Sequence, residues 1–90
     1  MMDKAKIKAA ANWMKLELNS AGELHHEDVV HRLPDFDAEA VAEDMEGSMR
    51  IHKGVLHEFR RITPDAVWVP GDQMWRERTR GDGPGRLASD

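Results

Sequence analysis

The sequence predicts an α+β domain that is mostly helical, with three main helices followed by a C-terminal two-stranded β-hairpin. Three observations lead to this prediction. Apolar residues recur at helical spacing in three separate segments. A glycine or a proline follows each segment, at Gly22, Pro34 and Pro64, and ends it. After Pro64, β-branched and aromatic residues flank a Pro-Gly-Asp turn sequence, which is typical of a hairpin.

Length and composition predict one domain without a membrane span. We expect the 90 residues to form a single domain over residues 1–78. Residues 79–90 contain three glycines and a proline and are expected to form a flexible tail. The chain has no cysteine, which excludes disulfides and thiolate chemistry and fits a reducing compartment. Because the apolar runs are short and no signal-peptide core follows the first residue, the sequence predicts a cytoplasmic protein.

The first helix is predicted from about residue 4 to residue 19, with Asp3 as its N-cap. Its core stripe consists of Ile7, Ala11, Met14 and Leu18. Trp13 and Leu16 lie roughly 120° to 180° away from Ile7 around this helix. Two such large apolar side chains need a cover, which is either another part of the chain or a second subunit.

Three short features lead from the first helix to the third. Residues 23–25 are too short for an independent strand but can pair with the edge of the later hairpin. A second helix is predicted over about residues 27–33, with acidic residues in its first turn. Asp37 can cap a further helical turn or two over residues 38–44, which Gly47 then ends.

The third helix, over about residues 52–62, has two contrasting faces. At about 100° per residue, its apolar side chains form one stripe. This stripe consists of Val55, Leu56, Phe59 and Ile62. The opposite face carries Lys53, His57, Arg60 and Arg61. The apolar stripe is therefore expected in the core, and the opposite face is expected to meet solvent or a partner.

The hairpin is predicted over residues 66–77, and two registers are open to it. If the Gly71-Asp72 pair forms a two-residue loop with the glycine at positive φ, Trp68 faces Trp75 across the hairpin. If the Pro70-Gly71 pair occupies the centre of a type II turn, the two indoles are no longer opposite. We predict the first register.

The order of these elements over residues 4–78 resembles that of a winged helix, in which the third helix reads DNA and the hairpin is the wing. The resemblance implies nucleic-acid contacts from Lys53, His57, Arg60, Arg61, Arg76 and Arg78. Net charge is −6 through Met49, from 5 Lys and Arg against 11 Asp and Glu, and +2 from Arg50 onward, from 8 against 6. The basic residues thus gather in the second half, whereas the acidic residues before the third helix oppose phosphate binding.

A second resemblance is carried by the segments Ala11-Asn-Trp-Met14, Gly22-Glu-Leu24, Glu27-Asp-Val-Val30, Phe59-Arg-Arg-Ile-Thr-Pro-Asp65, Val67-Trp68 and Met74-Trp-Arg76. These segments are similar to a family of small bacterial proteins that is catalogued as a domain of unknown function. The similarity spans most of the chain and implies no activity, ligand or catalytic residue. Gly47-Ser48 departs from the Gly-Asn turn of that family.

Motifs for catalysis are missing from the sequence. It contains no GxSxG, Walker or GxGxxG motif, and its carboxylates lack the spacing of an acid and base pair. We therefore predict a protein that is not an enzyme and has no cofactor. Glu27 and His31 share a helix face and His26 could join them, but an ordinary surface pair explains this spacing, so no metal site is predicted.

Two functions are compatible with these patterns. One is a nucleic-acid-binding module that uses the third helix and the wing. The alternative is a protein-interaction module or homo-oligomer whose interface contains Trp13, Leu16, Trp68 and Trp75. The two hairpin indoles can stack on bases, or they can anchor the hairpin to the core or to a second subunit.

Overall fold

The computed structural model describes residues 2–82 and 85–87. The helices in this part of the chain are α1 (Lys4–Ala21), α2 (His26–Arg32) and α3 (Lys53–Ile62). The strands are β1 (Glu23–His25), β2 (Val41–Glu43), β3 (Met49–Ile51), β4 (Ala66–Val69) and β5 (Met74–Glu77). About half of the chain is helical, which confirms the predicted α+β class. None of the described helices has the length and apolar character that a membrane crossing requires.

The C-terminal hairpin belongs to a three-stranded antiparallel sheet with the order β1-β5-β4. The prediction of a C-terminal unit with only two strands was therefore wrong, whereas the pairing considered for residues 23–25 with the edge of the hairpin is confirmed. Gly22 ends α1 in a left-handed conformation, with φ at 82°, and its N–H donates to the Leu18 carbonyl. This turn brings β1 beside the open edge of β5, where Leu24 pairs with Trp75. The pairing satisfies backbone groups that an isolated hairpin would leave open.

The predicted register of the hairpin is confirmed, but its turn differs from the expected one. Trp68 lies opposite Trp75, and their ring centroids are 4.6 Å apart. The Gln73 N–H donates to the Pro70 carbonyl at 3.3 Å, so residues 71 and 72 occupy the centre of the turn. The residue at positive φ is Gln73, at 48°, and not Gly71. The hairpin loop has four residues, 70–73, and its last residue takes the left-handed conformation. This conformation lets the chain enter β5 in register with β4.

A second, two-stranded sheet replaces the helical turns predicted between α2 and α3. Asp37 caps as expected, since its side chain accepts from the Glu39 N–H at 2.9 Å, but only the 3-10 turn Ala38–Ala40 follows. β2 and β3 then pair as a hairpin. The Asp44 side chain accepts two backbone N–H groups in the connecting turn, and Gly47 takes a φ of 86°. This side-chain-to-backbone turn competes successfully with the helix.

The apolar stripe of α3 lies in the core, as predicted. Val55 and Phe59 are fully buried, and Leu56 and Ile62 are half-buried. The Phe59 ring meets the Trp75 ring edge-on at 5.3 Å between centroids, so α3 and the sheet share one core. α1 packs along α3 and contributes the buried side chains of Ala10, Ala11, Met14 and Leu18.

The residues after β5 are joined to the sheet by a buried ion pair. The Arg76 guanidinium donates to both carboxylate oxygens of Asp82, at 2.7 and 2.9 Å. The side chain of Asp82 is 0% exposed and that of Arg76 is 23% exposed. The Thr79 N–H also donates to Asp82, at 2.8 Å. This carboxylate is therefore held by several charge-assisted hydrogen bonds away from solvent.

Residues 85–87 lie along the outer edge of β4. The backbone N–H of Trp68 donates to the Arg86 carbonyl at 2.6 Å, and Trp68 forms a parallel bridge with Leu87. That a flexible tail spans residues 79–90 stays a prediction. Part of that range, residues 83, 84 and 88–90, lies outside the described residues.

We expect Asp82→Asn to lower the free energy of unfolding by about 2–3 kcal/mol, because it removes one charge from an ion pair that is shielded from solvent. Urea unfolding followed by tryptophan fluorescence measures the change. Asp72→Asn makes the same chemical substitution at an exposed turn residue and should stay within about 0.5 kcal/mol of the unmodified protein. Equal stabilities of the two variants would contradict the assignment.

The pKa of Asp44 is lower than its ordinary value of 3.8, chiefly because the Ser48 N–H donates to the carboxylate and further because Arg50 does. A carboxyl group with a lowered pKa in the folded state stabilises the fold fully above its unfolded-state pKa. That contribution is lost as the pH falls through the folded-state pKa. For Asp44 the loss begins near its ordinary value of 3.8 and proceeds below it.

We expect the urea midpoint of Asp44→Asn to decline less steeply than that of the unmodified protein on acidification below about pH 4. Asp37, whose pKa the Glu39 N–H and Lys6 also lower, stays intact in this variant and accounts for part of the remaining decline. Unfolding curves at a series of pH values provide the measurement, with Asp72→Asn as the control. Parallel acid profiles for all three proteins would rule out the role given to Asp44.

Candidate functional site

The outer face of α3 exposes the four residues that the sequence placed there, Lys53, His57, Arg60 and Arg61. Gly54 lets the start of this helix approach α1, since a Cβ at that position would meet the Ile7 Cδ1 atom at 3.0 Å. His52 caps the helix by accepting from the Gly54 N–H at 3.0 Å. The close contact with α1 and the cap together fix the direction in which the outer face points.

The charges on this face are not equivalent. Arg61 donates twice to the Glu58 carboxylate, at 2.6 and 2.9 Å. This hydrogen bonding raises the pKa of Arg61 and lowers the pKa of Glu58. Lys53 and Arg60 form no ion pair with any of the residues that the structure describes. These two cations are therefore the ones on α3 that are most available to an anionic partner.

The two arginines predicted to lie on the wing are engaged within the protein. Arg76 holds the buried carboxylate of Asp82. The Arg78 guanidinium donates to the Gly85 carbonyl at 2.8 Å, and its backbone N–H donates to the Asp65 carbonyl at 2.7 Å. Both side chains are half-buried. The structure thus places them where they hold the segment after β5, and their contact with nucleic acid remains a prediction.

Other side chains of the protein cover some of the apolar residues that were predicted for an interface and leave others exposed to solvent. Trp13 packs against the ring of Phe36 at 6.0 Å, and the Arg32 guanidinium lies 5.6 Å from its ring. Trp75 is buried in the core. Leu16 is 58% exposed and Trp68 is half-buried. The chain itself therefore covers Trp13, whereas Leu16 remains open to a partner.

Trp68 lines a cavity of about 470 Å³ between α3, the three-stranded sheet and β3. Lys53 and Arg60 reach this cavity, together with Arg50 from β3 and Arg86 from the segment after β5. Arg50 and Arg86 were not among the site residues predicted from the sequence. The spacing of Lys53, Leu56 and Arg60, at three and four residues, already places these three on one flank of α3. No local signal places Arg50 or Arg86 beside them.

The acidic residues before α3 are partly neutralised within the protein. Asp35 pairs with Arg32 at 3.3 Å, and Asp37 pairs with Lys6 at 3.5 Å. Asp44 pairs with Arg50 at 3.1 Å. These carboxylates therefore repel an approaching anion less than their number in the sequence suggests.

The histidines serve several local contacts. His26 Nε2 hydrogen-bonds the Met49 carbonyl at 3.0 Å. His25 bonds the Glu23 carboxylate at 3.0 Å, which raises the pKa of His25. His52 caps α3. Within residues 2–82 and 85–87, no three His, Asp or Glu side chains lie together in an arrangement suited to a metal ion.

Comparison with known proteins supports the second resemblance and adds no named relative. No curated protein and no solved structure matches the chain. One family model matches residues 6–77, a range that begins in the first turn of α1 and ends with the last residue of β5. The match therefore covers both sheets and all three helices almost completely. The chain belongs to a family of unknown function (DUF6953).

Proposed function

We propose that the protein is a non-enzymatic binding module that binds nucleic acid through the outer face of α3. The observation that carries the proposal is the exposure of Lys53 and Arg60 on one helix, without an ion pair among the described residues. In a protein with a net charge of −4, such a patch is a local exception. A cationic patch of this kind attracts phosphate by Coulomb forces and by counterion release.

The order of the strands supports a winged-helix-like arrangement for this module. The strand that follows the first helix pairs with the last strand, so that the sheet order is β1-β5-β4. α3 precedes the β4–β5 hairpin directly, as the reading helix precedes the wing in that class of protein. The β2–β3 hairpin is then an insertion between the second and third helices.

The spacing of the cations on α3 fits contacts with separate phosphates. Lys53 and Arg60 lie seven residues apart, which corresponds to roughly 10 Å along the helix axis. His57 lies between them on the exposed side of the helix. In this proposal Arg61 contributes less than Lys53 and Arg60, because Glu58 already neutralises its charge.

We expect the double variant Lys53→Gln, Arg60→Gln to bind mixed-sequence duplex DNA more weakly and with a smaller salt dependence. Each lost phosphate contact should reduce the slope of log K against log salt by about one, so the total reduction should be about two. Fluorescence anisotropy with labelled DNA at a series of salt concentrations measures both quantities.

The matched control is Lys4→Gln, Arg80→Gln. It removes the same charge from two exposed residues that lie outside α3 and outside the cavity lining. The control variant should keep the slope of the unmodified protein. The nucleic-acid proposal fails if the unmodified protein does not bind DNA at low salt, or if the α3 variant and the control have the same slope.

Self-association is the second candidate function, and the exposed side of α1 favours it. Leu16 is 58% exposed, and Ala5 and Ala9 precede it at spacings that place the three on one helix face. Two copies of this face packed together would bury the Leu16 side chain. Trp68 and Trp75 lie away from this face, on the sheet beside α3.

If α1 forms such an interface, light scattering should give a mass that approaches twice the monomer mass as the protein concentration rises. Leu16→Lys should return the protein to the monomer mass, because it places a charge in the apolar contact. Circular dichroism establishes that the variant is folded. A monomer mass at every concentration of the unmodified protein would exclude self-association.

A further inference from the structure

The cavity beside α3 has an apolar interior that is formed by aromatic side chains. Phe59 is 0% exposed and Trp75 is 7% exposed, and both line it from the core side. Trp68 and Leu56 are half-buried and form its walls. The volume of about 470 Å³ falls within the range of about 300–1,000 Å³ that is usual for small-molecule sites. The interior therefore suits the flat or flexible apolar body of a small organic molecule.

The mouth of this cavity is cationic. Arg50, Lys53, Arg60 and Arg86 all line it. None of the described lining residues is an Asp or a Glu, although the chain contains 17 of these residues. Arg50 is paired with Asp44, whereas Lys53, Arg60 and Arg86 have no ion-pair partner in the described part of the chain. The electrostatic field at the mouth therefore favours an anion.

Contacts from several parts of the chain hold the cavity in shape. His26 Nε2 bonds the Met49 carbonyl of β3 at 3.0 Å, and the same imidazole meets the Trp68 ring edge-on at 6.3 Å. The backbone N–H of Trp68 donates to the Arg86 carbonyl, which places Arg86 at the mouth. β3, the sheet and the segment after β5 are thus fixed around one space.

We infer that this cavity binds a small organic carboxylate with an apolar or aromatic body. The body lies against Leu56, Trp68 and Trp75, where the hydrophobic effect and stacking on the indoles retain it. The carboxylate stays at the mouth, where the positive charges of Lys53 and Arg60 attract it. A neutral molecule of the same shape lacks the second contribution and binds more weakly.

This inference goes beyond the proposed nucleic-acid function and does not rest on it. Lys53 and Arg60 belong to both surfaces, so a bound carboxylate competes with phosphate for the same two cations. A small molecule in the cavity would then weaken nucleic-acid binding by α3 without any change of fold.

The test titrates isotope-labelled protein, without nucleic acid, with naphthalene carboxylate, with its neutral carboxamide and with octanoate. Two-dimensional NMR follows the indole N–H signals of the three tryptophans. Trp68 and Trp75 line the cavity, whereas Trp13 packs against Phe36 elsewhere and serves as an internal control. We expect saturable shifts of the Trp68 and Trp75 signals with both carboxylates and an unmoved Trp13 signal.

The charge contribution is measured by two comparisons. We expect the carboxamide to bind about tenfold more weakly than the carboxylate, since it has no charge for Lys53 and Arg60. Lys53→Gln, Arg60→Gln should weaken binding of the carboxylate by a similar factor and leave binding of the carboxamide unchanged. Lys4→Gln, Arg80→Gln should alter neither.

Several results would overturn the inference: no saturable shift with either carboxylate, equal movement of the Trp13 signal, or equal affinity for the carboxylate and its carboxamide. A protein that binds the carboxylates but not DNA refutes only the nucleic-acid proposal. A protein that binds DNA but neither carboxylate refutes only the cavity inference.

Discussion

The contact between Phe59 and Trp75 is the interaction on which the rest of the fold depends. Phe59 is fully buried on α3, and its ring meets the Trp75 ring edge-on at 5.3 Å. Trp75 in turn pairs with Trp68 on one neighbouring strand and with Leu24 on the other. In a chain of 90 residues, which buries limited apolar surface, these rings provide a large part of the core. This contact joins α3 to the sheet, and the close approach of α3 to α1 at Gly54 then fixes the direction in which its cations point.

Charged side chains are arranged differently within the fold and around the cavity. Ion pairs such as Asp37 with Lys6, and Asp44 with Arg50, neutralise acidic residues within the fold. Arg76 is paired even more closely, because Asp82 is buried against it. Around the cavity, cations gather without a carboxylate among the described lining residues, although Arg50 is one of them and is paired with Asp44. Like charges that lie close together oppose folding, so a cluster of this kind is typical of sites that bind an anion.

Local sequence patterns gave an incorrect or incomplete prediction where the pairing of strands decided the structure. Residues 38–44 are rich in Ala and Glu, which favour a helix, yet β2 forms there because β3 pairs with it and the Asp44 turn joins the two strands. The three residues of β1 carry too little pattern to predict a strand by themselves. Their conformation depends on the open edge of β5, about 50 residues later. A propensity is a weak preference, and a tertiary contact overrides it.

Local patterns in the sequence predicted the three helices, the buried stripe of α3 and the favoured register that places the two hairpin indoles opposite each other. Each of these depends on a periodicity or a turn within a short stretch of chain, where geometry fixes which side chains share a face. The folded structure was needed to show that Asp82 neutralises Arg76 and that Arg50 and Arg86 join Lys53 and Arg60 at one cavity. Arg86 is distant in sequence from Lys53 and Arg60, and a turn after β5, in which the Asp82 N–H donates to the Thr79 carbonyl, brings Asp82 back to Arg76.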